Sequence, residues 1–285
     1  MRKISFILCL VFIFICGCRQ ETPTIKIGVL PDVDSIPIAV AQANGYLENC
    51  EIVPFKSAVD RSAAFRTGSI DLAVSDLITT ICEYDTLNGI KILTGTCGRY
   101  CLVSSSQNKG NQVTLNSVAV SSGTVIEFIG ERFQKKLGIN WQQPSIPIIP
   151  TRLEAVLNGQ VDGAILPEPY ATIAVNKGCN RLLSYESCDI GVIVANKNAV
   201  TKKNDLIEQF LNSYDKAVQD LQYGTADILK AIEILGLPSE TDITALPTYK
   251  KSALPDSDSV DFVSSYLFDR GDIKTEVDLS DLGYY

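Results

Sequence analysis

Short apolar runs and amphipathic stretches alternate along this chain from Ile25 onward. Ile25-Lys26-Ile27-Gly28-Val29-Leu30 is apolar and rich in β-branched residues, and it reads as a strand. Pro31-Asp32-Val33-Asp34-Ser35 makes a turn. A helix follows from Ile36 to Leu47, with Asp34 or Ser35 as N-cap and Pro37 in its first turn. The same reading predicts strands at 51–55, 71–74, 91–94 and 101–104, with helices over 59–67 and from Ser75-Asp76 to Asp85. A second series gives strand 118–121, helix 124–137, strand 146–149, helix 151–157, strand 163–166 and a helix from Pro167 to Asn176. Strands at 181–184 and 190–195 close it, and helices at 206–223, 226–235 and 259–268 make up most of the tail. Strand and helix alternating at this spacing call for mainly parallel sheets covered by helices.

One pattern is written twice. Ala64-Phe65-Arg66-Thr67-Gly68-Ser69-Ile70-Asp71-Leu72-Ala73-Val74 reappears as Ala155-Val156-Leu157-Asn158-Gly159-Gln160-Val161-Asp162-Gly163-Ala164-Ile165. Each copy ends a helix on a Gly, which takes the left-handed conformation without a Cβ clash. Each then places a β-branched residue and an Asp ahead of a small apolar strand suited to burial on both faces. From Gly68 to Gly159 is 91 residues, too long for a solenoid repeat. It predicts two α/β lobes of similar build facing each other across a cleft. The polar stretch 105–110 is the crossover into the second lobe, and the tail helices pack against the first.

The N-terminus sets the compartment. Arg2 and Lys3 precede an apolar stretch from Ile4 to Cys16, an arrangement typical of an export signal. Ile15-Cys16-Gly17-Cys18 resembles the lipobox of bacterial lipoproteins, which implies a signal peptide over 1–17, cleavage before Cys18 and lipidation of its thiol. Residues 18–24 then form a tether, and the protein sits on the extracytoplasmic side of the bacterial envelope. Removing Arg2 and Lys3 leaves 23 basic residues against 33 acidic ones, a net charge near −10 that argues against nucleic acid as a partner. Six Cys remain besides Cys18: Cys50, Cys82, Cys97, Cys101, Cys179 and Cys188. They are either free buried thiols or disulfides, with Cys97–Cys101 and Cys179–Cys188 as the local candidates among fifteen pairings. The chain has no His and no paired Cys motif of metal spacing, so no metal site is expected.

Four turns fall at the C-terminal ends of predicted strands, the edge where open α/β sheets bind ligands. They are Asp34-Ser35, Ser75-Asp76, Ser121-Ser122-Gly123-Thr124 and Glu168 with Tyr170 between and after two prolines. Hydroxyls and Gly at a helix start present free N–H groups to an anion such as a carboxylate, sulfonate or phosphate. Plain N-capping competes with that role, since Thr124–Glu127 and Thr151–Glu154 both match a capping box. Glu168, stiffened by Pro167 and Pro169, can accept from an amine or ring N–H, and Tyr170 can stack on a ligand. Arg99 and Arg152 are further candidates to counter an anion. Catalytic residues and cofactor motifs are not found: without His there is no Ser-His-Asp arrangement, and no Gly-rich nucleotide loop is present.

Ile25–Pro31, Pro37–Leu47, Gly68–Asp76 and above all Arg152–Tyr170 resemble the extracytoplasmic solute-binding proteins of ABC importers. The branch they resemble is that of the nitrate, sulfonate, taurine and thiamine-pyrimidine-precursor binders. The resemblance implies a two-lobed periplasmic-binding-protein type II-like fold, α/β, with two mainly parallel sheets joined by a two-strand hinge. It implies lobe I over 25–103 plus 192–285, lobe II over 104–191, and hinges near Val103-Ser104 and Gly191-Val192. It also implies a monomer that closes on one small solute and serves an ABC permease and ATPase, with ligand contacts from the four turns above. An enzyme on the same scaffold, of the menaquinone lyase type, and a ligand sensor are the alternatives. A relative that makes a thiamine pyrimidine uses a His that this chain lacks.

Overall fold

A computed structural model describes residues 24–107 and 114–285; the expected signal peptide, Cys18 and residues 108–110 of the expected crossover lie outside the described residues. The chain opens with β1 (Ile25–Val29), α1 (Ile36–Ala43), β2 (Cys50–Pro54), α2 (Ala58–Arg66), β3 (Leu72–Asp76), α3 (Leu77–Leu87) and the long β4 (Lys91–Ser104). It continues with β5 (Val118–Ala119), α4 (Val125–Leu137), α5 (Ile149–Leu157), β6 (Gly163–Pro167), α6 (Tyr170–Asn176) and the long β7 (Asn180–Ala195). The tail holds α7 (Lys197–Lys202), α8 (Asn204–Tyr223), α9 (Ile228–Leu235), α10 (Ser257–Arg270) and α11 (Leu279–Leu282).

The 91-residue repeat governs far more than the eleven residues that reveal it. Shifting α2 by 91 gives 149–157, the bounds of α5, and shifting β3 gives 163–167, the bounds of β6. Strand pairing repeats in register as well. Ile27 opposite Leu72 and Gly28 opposite Ala73 become Val118 opposite Gly163 and Ala119 opposite Ala164. Leu72 opposite Ala195 and Asp76 opposite Gly191 become Gly163 opposite Ser104 and Pro167 opposite Tyr100. The last pairs exchange the halves: β3 lies on β7 as β6 lies on β4. The sheet order β2-β1-β3-β7-β4-β6-β5 is therefore two-fold in its pairing. The second copy of β2 is reduced to isolated bridges at Gln142 and Ser145, with Pro144 between them unable to donate.

The two half-sheets predicted from sequence are fused into one seven-stranded mixed sheet by β4 and β7, which run antiparallel. Each was expected as two short strands. Gly95, Gly98 and Arg99 interrupt the apolar run of β4, yet the backbone passes through with register shifts at Ile92/Thr94 and Thr96/Gly98. Those shifts mark the change of neighbours: Lys91–Thr96 pairs with Gly191–Ala195, while Gly98–Ser104 pairs with Asn180–Ser187 and Tyr100–Ser104 also with β6. Val103 and Ser104 lie inside that last ladder. No strand forms at 146–149, because Pro150 starts α5 early and Pro147 withholds a donor. Thr151 is consequently inside α5, not at its cap.

Cores lie on both faces of the sheet. Leu72 and Val74 belong to one, Ala73 to the other, the period-two pattern of a strand buried on both sides. Fully burying one such Ile, Leu or Val contributes roughly 1.5–3 kcal/mol. Helices α8 and α9 pack on α1, where Asn44 and Tyr46 each donate to Asp220 at 2.7 Å. Helix α10 packs on α3 and also reaches α4, where Tyr266 donates to Glu131 at 2.6 Å.

Cys97 and Cys188 form a disulfide between β4 and β7. Neither local candidate pair forms, because Gly98 faces Ser187 and the antiparallel register brings 97 beside 188 instead. The two half-cystines are 91 residues apart and so occupy equivalent positions of the repeat. Cys50, Cys82, Cys101 and Cys179 are free. Peptide mapping without reductant is expected to recover the Cys97–Cys188 link. Replacing both by Ser is expected to cost about 2–5 kcal/mol of stability in a denaturant titration.

Candidate functional site

A cavity of about 50 Å³ lies between the two halves, bounded by the loops after β1, β3, β5 and the segment before α5. Five pairs of its lining residues are 91 apart: Leu30 and Ser121, Asp34 and Val125, Ala58 and Ile149, Arg61 and Arg152, Asp76 and Pro167. The cavity thus sits where equivalent surfaces of the two halves meet. At about 10–15 Å³ per water it holds three or four waters, or a ligand of few heavy atoms.

Its two walls differ in charge. The first half supplies Asp32, Asp34 and Asp76, all buried. Their equivalents in the second half are Gly123, Val125 and Pro167. Asp34 is seated deepest, at the joint of the two long strands. Its carboxylate accepts from Thr96 Oγ1 at 2.7 Å and from the Tyr100 hydroxyl at 3.4 Å. Gly98 and Gly191 leave room for it: a Cβ on either would stand 2.7 or 2.6 Å from an Asp34 oxygen. Asp32 accepts from Ser35 Oγ at 3.3 Å. Asp76 caps α3, accepting from Thr79 N at 2.8 Å and Thr79 Oγ1 at 3.2 Å. Burial raises all three carboxyls, Asp32 to about 8 with help from Asp34, and Asp34 to about 6 against its bonds to Thr96 and Tyr100.

Arg61 and Arg152 are the repeat's hidden pair. Both are buried, and each reaches the carbonyl of the equivalent strand residue: Arg61 Nη1 donates to Val74 O, and Arg152 Nε to Ile165 O at 2.9 Å. Arg61 also donates to Ser62 at 3.0 Å and Ser75 at 3.3 Å, while its Nε has no partner. Arg152 donates further to Ile146 O and Pro147 O, at 2.7 and 3.4 Å. Burial alone lowers the Arg152 guanidinium to about 10. The repeated Asp is likewise structural. Asp71 accepts from Lys26 N at 2.9 Å, and Asp162 from the equivalent Ser117 N at 3.0 Å.

Of the residues singled out from sequence, Asp34, Ser75, Asp76, Ser121 and Thr124 line the cavity. Ser121 is buried and its hydroxyl has no partner. Ser35 lies beneath Asp32 and accepts from Leu30 N. Ser122 and Gly123 are exposed. The Gly123 N–H, offered above to an anion, donates to the chain's own Glu127 at 2.8 Å, and Thr124 Oγ1 accepts from Ile126 N. Glu168 faces away from the cavity. It is fully buried, accepts from Thr172 N and Oγ1, and pairs with Arg181 at 2.7 Å. Tyr170 is core. Arg99 pairs with Glu186 at 2.6 Å outside the cavity. Sequence reading missed Asp32, Tyr100 and the role of Arg61; extending the repeat by three residues to Arg61 and Arg152 was the available signal. Among the described residues no group of three or more His, Cys, Asp or Glu is placed to hold a metal.

Neither family models nor curated proteins give a match to the sequence. Solved structures do. The ligand-binding component of an ABC-type import system from Staphylococcus aureus, with zinc bound, superposes with a TM-score of 0.75 at 14% identity, covering 92% of this chain and 96% of that one. The alkanesulfonate-binding protein SsuA of Xanthomonas axonopodis pv. citri, bound to MOPS, also gives 0.75, at 16% identity over 91% and 97%. The nitrate-binding protein NrtA of Synechocystis PCC 6803 gives 0.62 at 16% identity over 76% and 68%. The fold is that of the periplasmic binding proteins.

Two measurements check this geometry. Glu168→Ala is expected to lose roughly 3 kcal/mol, as for breaking a buried pair, with ligand affinity unchanged. Ligand-free stability is expected to fall as pH rises from about 4 to 8. Asp32 and Asp34 hold protons in the folded state that the unfolded chain has released above its ordinary carboxylate range, so the folded state binds more protons across that window. Asp32→Asn should flatten that slope in melts run across the pH range.

Proposed function

We propose that this chain is the lipid-anchored substrate-binding component of an ABC importer, held outside the cytoplasmic membrane by a diacylated Cys18. It binds one small polar solute, a sulfonate-, taurine- or nitrate-like anion or an aminopyrimidine, and presents it to a permease and its ATPase as a monomer. It acts as a binding protein and not as an enzyme. Lobe I comprises 25–103 plus 192–285 and lobe II 104–191.

The observation that carries this reading is the cavity lined by equivalent residues of both halves. A solute held there touches both walls only when they are together, so it shifts the population toward the closed form. Thr79 Oγ1 of the first half already meets Gly123 O of the second at 3.5 Å. The permease then distinguishes loaded from empty protein by shape. Among the described residues no helix is long and apolar enough to cross a membrane.

A melting screen over small anions, zwitterions, aminopyrimidines and amines tests solute binding. A ligand at a hundred times its Kd adds about 2.7 kcal/mol, and a flat response across all four classes contradicts the proposal. Palmitate labelling of intact cells tests the anchor; it should vanish in Cys18→Ala.

A further inference from the structure

The geometry points to a compact nitrogenous cation, an amidinium or guanidinium bearing several N–H donors, as the solute that fits this cavity. The inference rests on the reading of the cavity as a solute site and specifies what enters it. Three buried carboxylates line one wall, Asp32, Asp34 and Asp76, and among the described residues the cations lining the space are Arg61 and Arg152. With all five ionised the lining carries one net negative charge. Arg152 has spent its donors on backbone carbonyls and neutralises no carboxylate. A buried excess charge is costly unless paired, and a bound monocation pairs it.

At two helix starts the backbone donors that would hold an anion are already taken. Gly123 N–H is bonded to Glu127, Ile126 N–H to Thr124, and Thr79 N–H to Asp76. Chain carboxylates thus occupy two of the helix starts where a sulfonate or nitrate would sit. On the opposite wall the Ser121 hydroxyl is buried in the lining with no partner. It is an acceptor waiting for a ligand N–H, placed across from the acidic wall. A planar cation with N–H groups on two edges joins the two walls, with the carboxylates accepting on one edge and Ser121 on the other. A ligand atom that accepts would also satisfy Arg61 Nε.

Cation binding has a proton signature. Arg61, Cys82, Glu83, Tyr100, Tyr170, Tyr214 and Tyr249 are the other ionisable groups facing these carboxylates; burial raises the Cys82 thiol and every one of the phenols, and Glu83 is paired with Arg66. The carboxyls are therefore the groups that release protons when a cation enters near neutral pH. Affinity should rise with pH by about tenfold per unit while one proton is displaced.

The test is calorimetry and melting of the mature protein with acetamidinium, methylguanidinium and agmatine, against methanesulfonate, taurine and nitrate at matched ionic strength. Expected are saturable binding of at least one cation, tightening tenfold or more from pH 6 to 8, and a loss of thirtyfold or more in Asp34→Asn and Asp76→Asn. Should those variants fail to fold, the pH series on the unaltered protein decides by itself. Saturable binding of the anions alone, or affinity that weakens as pH rises, overturns the cation and leaves the solute-binding reading standing. No binding from either panel overturns the cation, and the solute-binding reading falls with it only if the wider melting screen is flat as well.

Discussion

Everything in this molecule hangs on the antiparallel crossing of β4 and β7. These two strands carry the chain from one half to the other, and each contributes one end to each half. The Cys97–Cys188 disulfide joins equivalent positions of the repeat at that crossing. A residue can touch its own repeat-mate only where the two-fold relation passes, so the bridge marks the axis. Asp34 sits against the same crossing, in the space that Gly98 and Gly191 leave open. The covalent tie, the strand joint and the deepest carboxylate are therefore one locus, and movement of the halves about it would act directly on the site.

Duplication supplies the scaffold, and departures from it supply the chemistry. Positions that stay alike do structural work: Arg61 and Arg152 tie helix to strand, and Asp71 and Asp162 tie the start of the neighbouring strand. Positions that differ define the walls. Asp32, Asp34 and Asp76 face Gly123, Val125 and Pro167 across the repeat. A symmetric cavity would treat both ends of a ligand alike; this one does not.

Much of this was legible in the chain. Hydrophobic alternation gave nearly every helix and the central strands, because burial on both faces leaves an unbroken apolar run. The offset between Gly68 and Gly159 gave the two-part build. Three things escaped. β4 was split because Gly98, which makes room for Asp34, also interrupts its pattern, and β7 was split at Tyr185–Asp189, where polar residues break the apolar run. The disulfide was missed because its partners are distant in sequence and near only in the sheet. Glu168 was read as a ligand contact, and Arg152, which does line the cavity, as an anion's partner, because residue type does not say which way a side chain turns. Glu168 turns to Arg181 and Thr172, Arg152 to carbonyls.

The electrostatic balance then limits what the same scaffold accepts. The structural neighbours named for sulfonate and nitrate share the fold at 16% identity or less in the cases compared, a level at which backbone persists while loop chemistry changes. In this chain the loops have closed their anion sites with Glu127 and Asp76 and gathered three acids on one wall. Buried acids that cannot all ionise leave the empty cavity partly protonated and higher in energy as pH rises. A partner charge that enters with the solute relieves that tension only when the walls meet around it. On the proposed reading, the drive to close and the choice of guest arise from the same three carboxylates.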